Sequence, residues 1–189
     1  MIPLGILAAA GGAVAAAGSY DLLATEILTS SQASVTFGSL GDYAADYQHL
    51  QIRAACRTLR TTSEDDVVFT INGDSAANYS HHLLVGNGGS VASYAGINQN
   101  FIKSLSYSEA STSPANAFGS GVLDILDPFN SSKHTTTRTL TGKTAGEIQL
   151  WSGNWRNTAS ITSLNFFAIS GSNLAVGTRI SLYGLKAVA

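Results

Sequence analysis

Residues 48–59 read QHLQIRAACRTL. Leu50, Ile52, Ala54 and Cys56 fall on one phase of this stretch, and Gln51, Arg53, Ala55 and Arg57 on the other. In an extended chain successive side chains point to opposite faces, so this period of two predicts a half-buried strand. Cys56 lies on the apolar phase and reads as a small core residue. Similar text recurs on both sides. Residues 67–71 predict a second strand, closed by the turn signal Asn72-Gly73-Asp74. Residues 79–85 predict a third, closed by Gly86-Asn87-Gly88-Gly89. Residues 101–105, 121–126, 135–140 and 147–151 follow, separated by loops rich in Gly, Asn, Ser and Pro. Residues 161–169 and 178–185 end the series, and 20–29 and 34–37 begin it.

Such regular short strands between turn signals predict an all-β fold. The expectation is an antiparallel, jelly-roll-like β-sandwich of about 8–10 strands over residues 20–189. Its core is expected to bury Leu50, Ile52, Val68, Leu123, Ile125, Phe166, Ile180 and Leu182. Ser, Thr and Asn are abundant, which predicts polar, weakly charged outer faces.

Residues 1–19 form a separate segment. Residues 1–18 read MIPLGILAAAGGAVAAAG, and no Lys or Arg precedes Arg53. A signal peptide needs a positive start, and a membrane helix tolerates these glycines poorly. The segment is therefore expected to be an apolar anchoring arm, with Ile2, Leu4, Ile6, Leu7 and Val14 as its contact residues. It either folds back on its own domain or docks on a neighbouring subunit, and the second is the preferred expectation. No membrane partner is expected.

Composition excludes several classes of function. Charged residues make up 12% of the chain, about half the usual globular share. With 10 basic and 12 acidic residues there is no basic footprint for general nucleic-acid binding. A single cysteine leaves neither a disulfide framework nor a cysteine-based zinc site. Adjacent His81 and His82 point to opposite faces of a strand and cannot chelate one metal together. Glu64, Asp65 and Asp66 lack the calcium-loop pattern and read as a solvated loop. Asp124 and Asp127 read as turn caps before Pro128. Gly119-Ser120-Gly121 lacks the spacing of a nucleophile elbow, and no phosphate-binding glycine motif occurs. No catalytic, cofactor-binding or metal-ligating residue is assigned, and no enzyme is expected.

Two tryptophans carry the remaining interest. Trp151 and Trp155 are four apart across Gly153, which places both on one face of an unbroken strand. They are candidates for glycan stacking or for an interface, with Asn154, Arg156 and Asn157 as polar neighbours. The competing expectation buries at least one ring, preferentially Trp151. Lys133, His134 and Arg138 form a small basic cluster, expected to be solvated.

Four stretches taken together carry a resemblance: NGDSAANYSHHLLVGNGGSV (72–91), GVLDILDPFNSSK (121–133), SGNWRNTASITSLNFF (152–167) and GTRISLYGLK (177–186). With YDLLAT near the start and YQHLQIR in the first long strand, their order and spacing resemble small virion proteins of tailed bacteriophages. The resemblance spans residues 20–186. It implies an antiparallel β-sandwich of the virion, most often near tail and fibre components, with no catalytic motif. The expected function is a structural component of a tail, baseplate or fibre, anchored by the N-terminal arm. Its expected partners are other phage virion proteins and further copies of itself, with a trimer as the assembly expected by analogy. A head decoration protein on the capsid is the first alternative, and a host-glycan-binding module using Trp151 and Trp155 is the second.

Overall fold

A computed structural model of the chain describes residues 19–144 and 146–186. The arm residues Ile2, Leu4, Ile6, Leu7 and Val14 lie outside the described residues. Among those described, twelve strands form. They are β1 (Tyr20–Ile27), β2 (Ser34–Phe37), β3 (His49–Cys56), β4 (Glu64–Ile71), β5 (Tyr79–Gly86) and β6 (Val91–Gln99). After these come β7 (Ile102–Glu109), β8 (Gly119–Leu126), β9 (Thr135–Gly142), β10 (Ile148–Trp155), β11 (Leu164–Ala168) and β12 (Arg179–Leu185). The only helical turn among them is a 3-10 turn at Leu40–Tyr43, whose Leu40 plugs the core.

The strands build two antiparallel sheets. One has eight strands in the order β1-β12-β3-β8-β9-β10-β5-β6, and the other has four, β2-β11-β4-β7. Four antiparallel pairs are nested in the chain: β4 with β7, β3 with β8, β2 with β11, and β1 with β12. The hairpins β5–β6 and β9–β10 widen the large sheet beyond β8. The strand count exceeds the expected 8–10. Each segment read from the sequence overlaps a strand, and β6 is added to them. β6 escaped because it is an edge strand exposed on both faces, so burial imposes no alternation on its text, VASYAGINQ.

The main core lies between the sheets where the nested pairs face one another. Leu50, Ile52, Leu123, Ile125, Phe166, Ile180 and Leu182 are buried there, as expected. Phe166 contacts Phe69 and Phe37, with ring centroids 5.7 and 6.2 Å apart. Val68 is buried too but stands apart from that cluster, at a register shift between Val67 and Phe69. Cys56 sits fully inside, where burial pushes its thiol up to about 12, so it is inert at neutral pH.

Packing is tightest where β7 crosses the inner side of β8, β9 and β10. Sheets usually stack about 10 Å apart because side chains separate them. Here Gly119 and Gly121 remove those side chains, and the backbone carbonyls of Tyr107 and Leu105 occupy the space a Cβ would take. The Gly119-Ser120-Gly121 stretch is therefore a packing device. Beside it, the inner face of β9 consists of Thr135, Thr137, Thr139 and Thr141, all buried. The Thr141 hydroxyl accepts the Tyr107 N–H at 2.7 Å and donates to the Ser120 carbonyl at 2.7 Å. A hydroxyl satisfied in this way carries little desolvation penalty.

The acidic run 64–66 is a correction to the expected loop, since it opens β4. Asp65 is buried and accepts the Ser170 hydroxyl at 2.6 Å. Asp66 faces Lys103 at 3.0 Å, and Glu64 lies 3.6 Å from the Lys143 ammonium. Charged groups enter a strand at low penalty when opposite charges receive them.

Candidate functional site

On the wide half of the large sheet, a second set of apolar side chains points outward, on the face opposite the buried one. Cross-strand register places Val122 opposite Leu140, Leu140 opposite Leu150, and Leu150 opposite Leu84. These four make one row across β8, β9, β10 and β5, each between 40% and 52% exposed. Ile148 and Val91 extend the apolar surface on the side of the β5–β6 turn. This corrects the expected polar outer face. On β9 Thr135, Thr137, Thr139 and Thr141 turn inward and Leu140 outward, beside the close contact of β7 with the glycines of β8.

The row is flanked by two features. One is a groove of about 800 Å³ lined by Arg53, Phe118, Val122, Leu140, Ile148 and Gly88, among others. The other is a polar row along the next set of paired residues. There Asp124 accepts Gln51 at 2.7 Å and Arg138 at 2.9 Å, and Gln51 accepts Arg53 at 2.9 Å. Arg53 also lies over the rings of Tyr183 and Tyr20, at 4.7 and 5.3 Å. Asp124 is thus a mid-strand ion-pair partner where a turn cap was expected. Asp127 does sit in the turn, where it pairs with Lys133 and its carbonyl accepts the Asn130 N–H. Two members of the basic cluster, Lys133 and Arg138, are therefore neutralised by neighbours.

Trp151 and Trp155 share the inner face of β10, which pairs with β5 and β9 without a register shift at Gly153. Trp151 is 4% exposed and Trp155 1%. The burial expected of at least one ring holds for both, and neither presents a face on which a sugar could stack. Gly153 lies between them, and Ile102 packs over it. The Trp151 indole N–H donates to Gln149 at 2.8 Å, and Lys103 lies 5.6 Å from its ring centre.

His81 packs edge-on against Trp151, with centroids 5.4 Å apart and planes at 77°. His82 faces the other side and is exposed. Burial, reinforced by the nearby charges of Lys103 and His82, pushes His81 down to about 4 from 6.5. Between those values the unfolded chain holds a proton that the folded chain lacks. Stability contributed by this group is therefore present above pH 6.5 and lost as pH falls towards 4. The unfolding free-energy difference between the wild type and His81→Gln is expected to change by on the order of 2 kcal/mol across this window. Urea titrations at several pH values check this, and a flat difference rejects it.

Among the described residues, no group of three or more His, Cys, Asp or Glu is placed to hold a metal ion. No helix among them is long and apolar enough to cross a membrane. The site is thus an apolar sheet face with a groove beside it. Sequence reasoning missed it, although the alternation in TTTRTLT and EIQLW was visible. Neither a protein-family model nor a curated protein matches this chain.

Proposed function

We propose that this chain is a non-enzymatic structural subunit of a tailed-bacteriophage virion. It would be held among neighbouring subunits by its apolar N-terminal arm and by the outer face of its large sheet. The observation that carries the reading is the exposed row Val122, Leu140, Leu150 and Leu84. A soluble monomer rarely leaves such a contiguous apolar surface uncovered, and it suits packing into an assembly. The resemblance of residues 20–186 to small virion proteins supplies the kind of assembly.

Strand order supports the jelly-roll reading. Nested pairs around β4–β7, with successive strands passing between sheets, describe one long hairpin rolled up on itself. The hairpins β5–β6 and β9–β10 are then insertions that widen one sheet. Jelly rolls serve viral shells and lectins alike, and the burial of both tryptophans favours the assembly role over glycan recognition through those rings.

The preferred location is the tail, baseplate or a fibre, with the head shell as the alternative. Deleting residues 1–18 is expected to leave the far-ultraviolet circular dichroism of a β-protein while abolishing incorporation into particles. A truncated chain that loses its β-structure would place the segment in the fold itself. A truncated chain that is incorporated normally would remove the anchoring role. Labelling the full chain in assembled particles separates tail from shell.

A further inference from the structure

Four edges bound the two sheets: β1 and β6 in the large one, β2 and β7 in the small one. An unpaired edge offers N–H and C=O groups to any extended chain, and proteins block it with charges, proline, bulges or shortness. Three of these edges are blocked. β1 carries Asp21 and Glu26 and a bulge between Leu22 and Ala24. β2 has only four residues. The outer side of β7 is pressed onto β8 and β9, where its Tyr107 N–H is taken by Thr141.

β6 has none of these protections along most of its length. It spans nine residues without a charge or a proline, and among the described residues β5 is its sole strand partner. Its irregularity is confined to the end, between Gly96 and Gln99, and contains Ile97 and the left-handed Asn98. Val91, Tyr94 and Ile97 are 74%, 64% and 66% exposed. From Val91 to Gly96 the strand is thus open at its edge and on both faces, next to the apolar row at Leu84, while the Ile97 carbonyl accepts the Gln99 side-chain amide at 2.9 Å.

We propose that β6 pairs antiparallel with β6 of a second copy, about a two-fold axis at Tyr94, so that two large sheets become one. A two-fold axis perpendicular to the sheet keeps each face on its own side, so opposed residues must share a face. With the axis at Tyr94, that residue meets its counterpart and Val91 meets Ile97. Each large exposed apolar side chain of the strand then gains a cross-strand partner.

The occupant follows from the other edges. Among the described residues a second copy has only β6 free to offer, so the contact closes on itself as a dimer. A ring of three made by strand pairing would need a second open edge to receive β6. Residues 1–18, rich in Ala and Gly and carrying Pro3, are poor strand formers. A charged peptide would find no opposite charge along β6.

Sedimentation of the full-length chain tests the proposal independently of any particle. The wild type is expected to be a dimer. Tyr94→Lys is expected to raise the dimer dissociation constant at least about tenfold, with the circular dichroism unchanged. On oxidation, Tyr94→Cys is expected to yield a disulfide-linked dimer, whereas Leu22→Cys on the β1 edge is not. Buried Cys56 does not compete. A monomeric or trimeric wild type, a Tyr94→Lys chain that dimerises as before, or linkage through Leu22 would overturn the proposal.

Discussion

Replacing Gly121 with valine is expected to lower the unfolding free energy by more than about 3 kcal/mol, beyond the usual range for an overpacked core. The added Cβ would overlap the carbonyl oxygen of Leu105, and a flexible side chain is not there to yield. The backbone of β7 would have to move. β7 is held on its other side by pairing with β4, and the Tyr107 N–H beside the contact is held by Thr141. Relief at Gly121 therefore breaks ladder bonds or strands a buried donor, each adding its own penalty. Single domains are stable by only about 5–15 kcal/mol, so much of the margin would go. Denaturant titration followed by circular dichroism measures the effect. Gly38→Ala is the control, because a Cβ there meets no atom within 4 Å, and it should change little. A Gly121→Val midpoint equal to the wild type's would mean that the sheets tolerate separation at this point.

Trp155→Ala should be comparably damaging, by about 3–5 kcal/mol. The indole is 1% exposed in the main core, and its N–H donates to Asp74 at 2.8 Å. Asp74 also accepts the Asn78 side chain and the Ala76 N–H, each at 2.9 Å. Burial pushes this carboxyl up, but the three hydrogen bonds together outweigh it and hold Asp74 below its usual 3.8. A depressed carboxylate contributes stability that is present above its unfolded value and lost as pH falls through the folded one. Trp155→Phe keeps most of the packing and removes the hydrogen bond. It should be milder, by about 1–2 kcal/mol, and should reduce stabilisation by Asp74 at neutral pH more than at the lowest pH values. Equal losses for Ala and Phe would show that the hydrogen bond, and not the ring, holds this corner.

The alternation in residues 48–59 was enough to identify β3 and its core-facing side, because one face of that strand meets the main core and the other carries polar residues, with Gln51 buried among Asp124 and Arg53. The turn signals after Ile71 and Val85 likewise marked strand ends to within a residue. β6 left no such trace, since a strand exposed on both faces is under no pressure to alternate. The acidic run 64–66 misled for the opposite reason. Its partners Lys103, Lys143 and Ser170 are distant in sequence and adjacent only after folding.

The sequence by itself determined an all-β fold, most of the strands between Tyr20 and Leu185 and the residues of the central core. Periodicity and turn chemistry are local properties, and local text records them. Only the tertiary structure decided which phase of β9 faces inward. A strand reading TTTRTLT buries either set, depending on what lies against it. Here β7 lies directly on the glycines of β8, and the adjacent β9 turns four threonines to it and leaves Leu140 outside. That choice, made by backbone contact between distant segments, turned the wide sheet's outer face into an apolar surface.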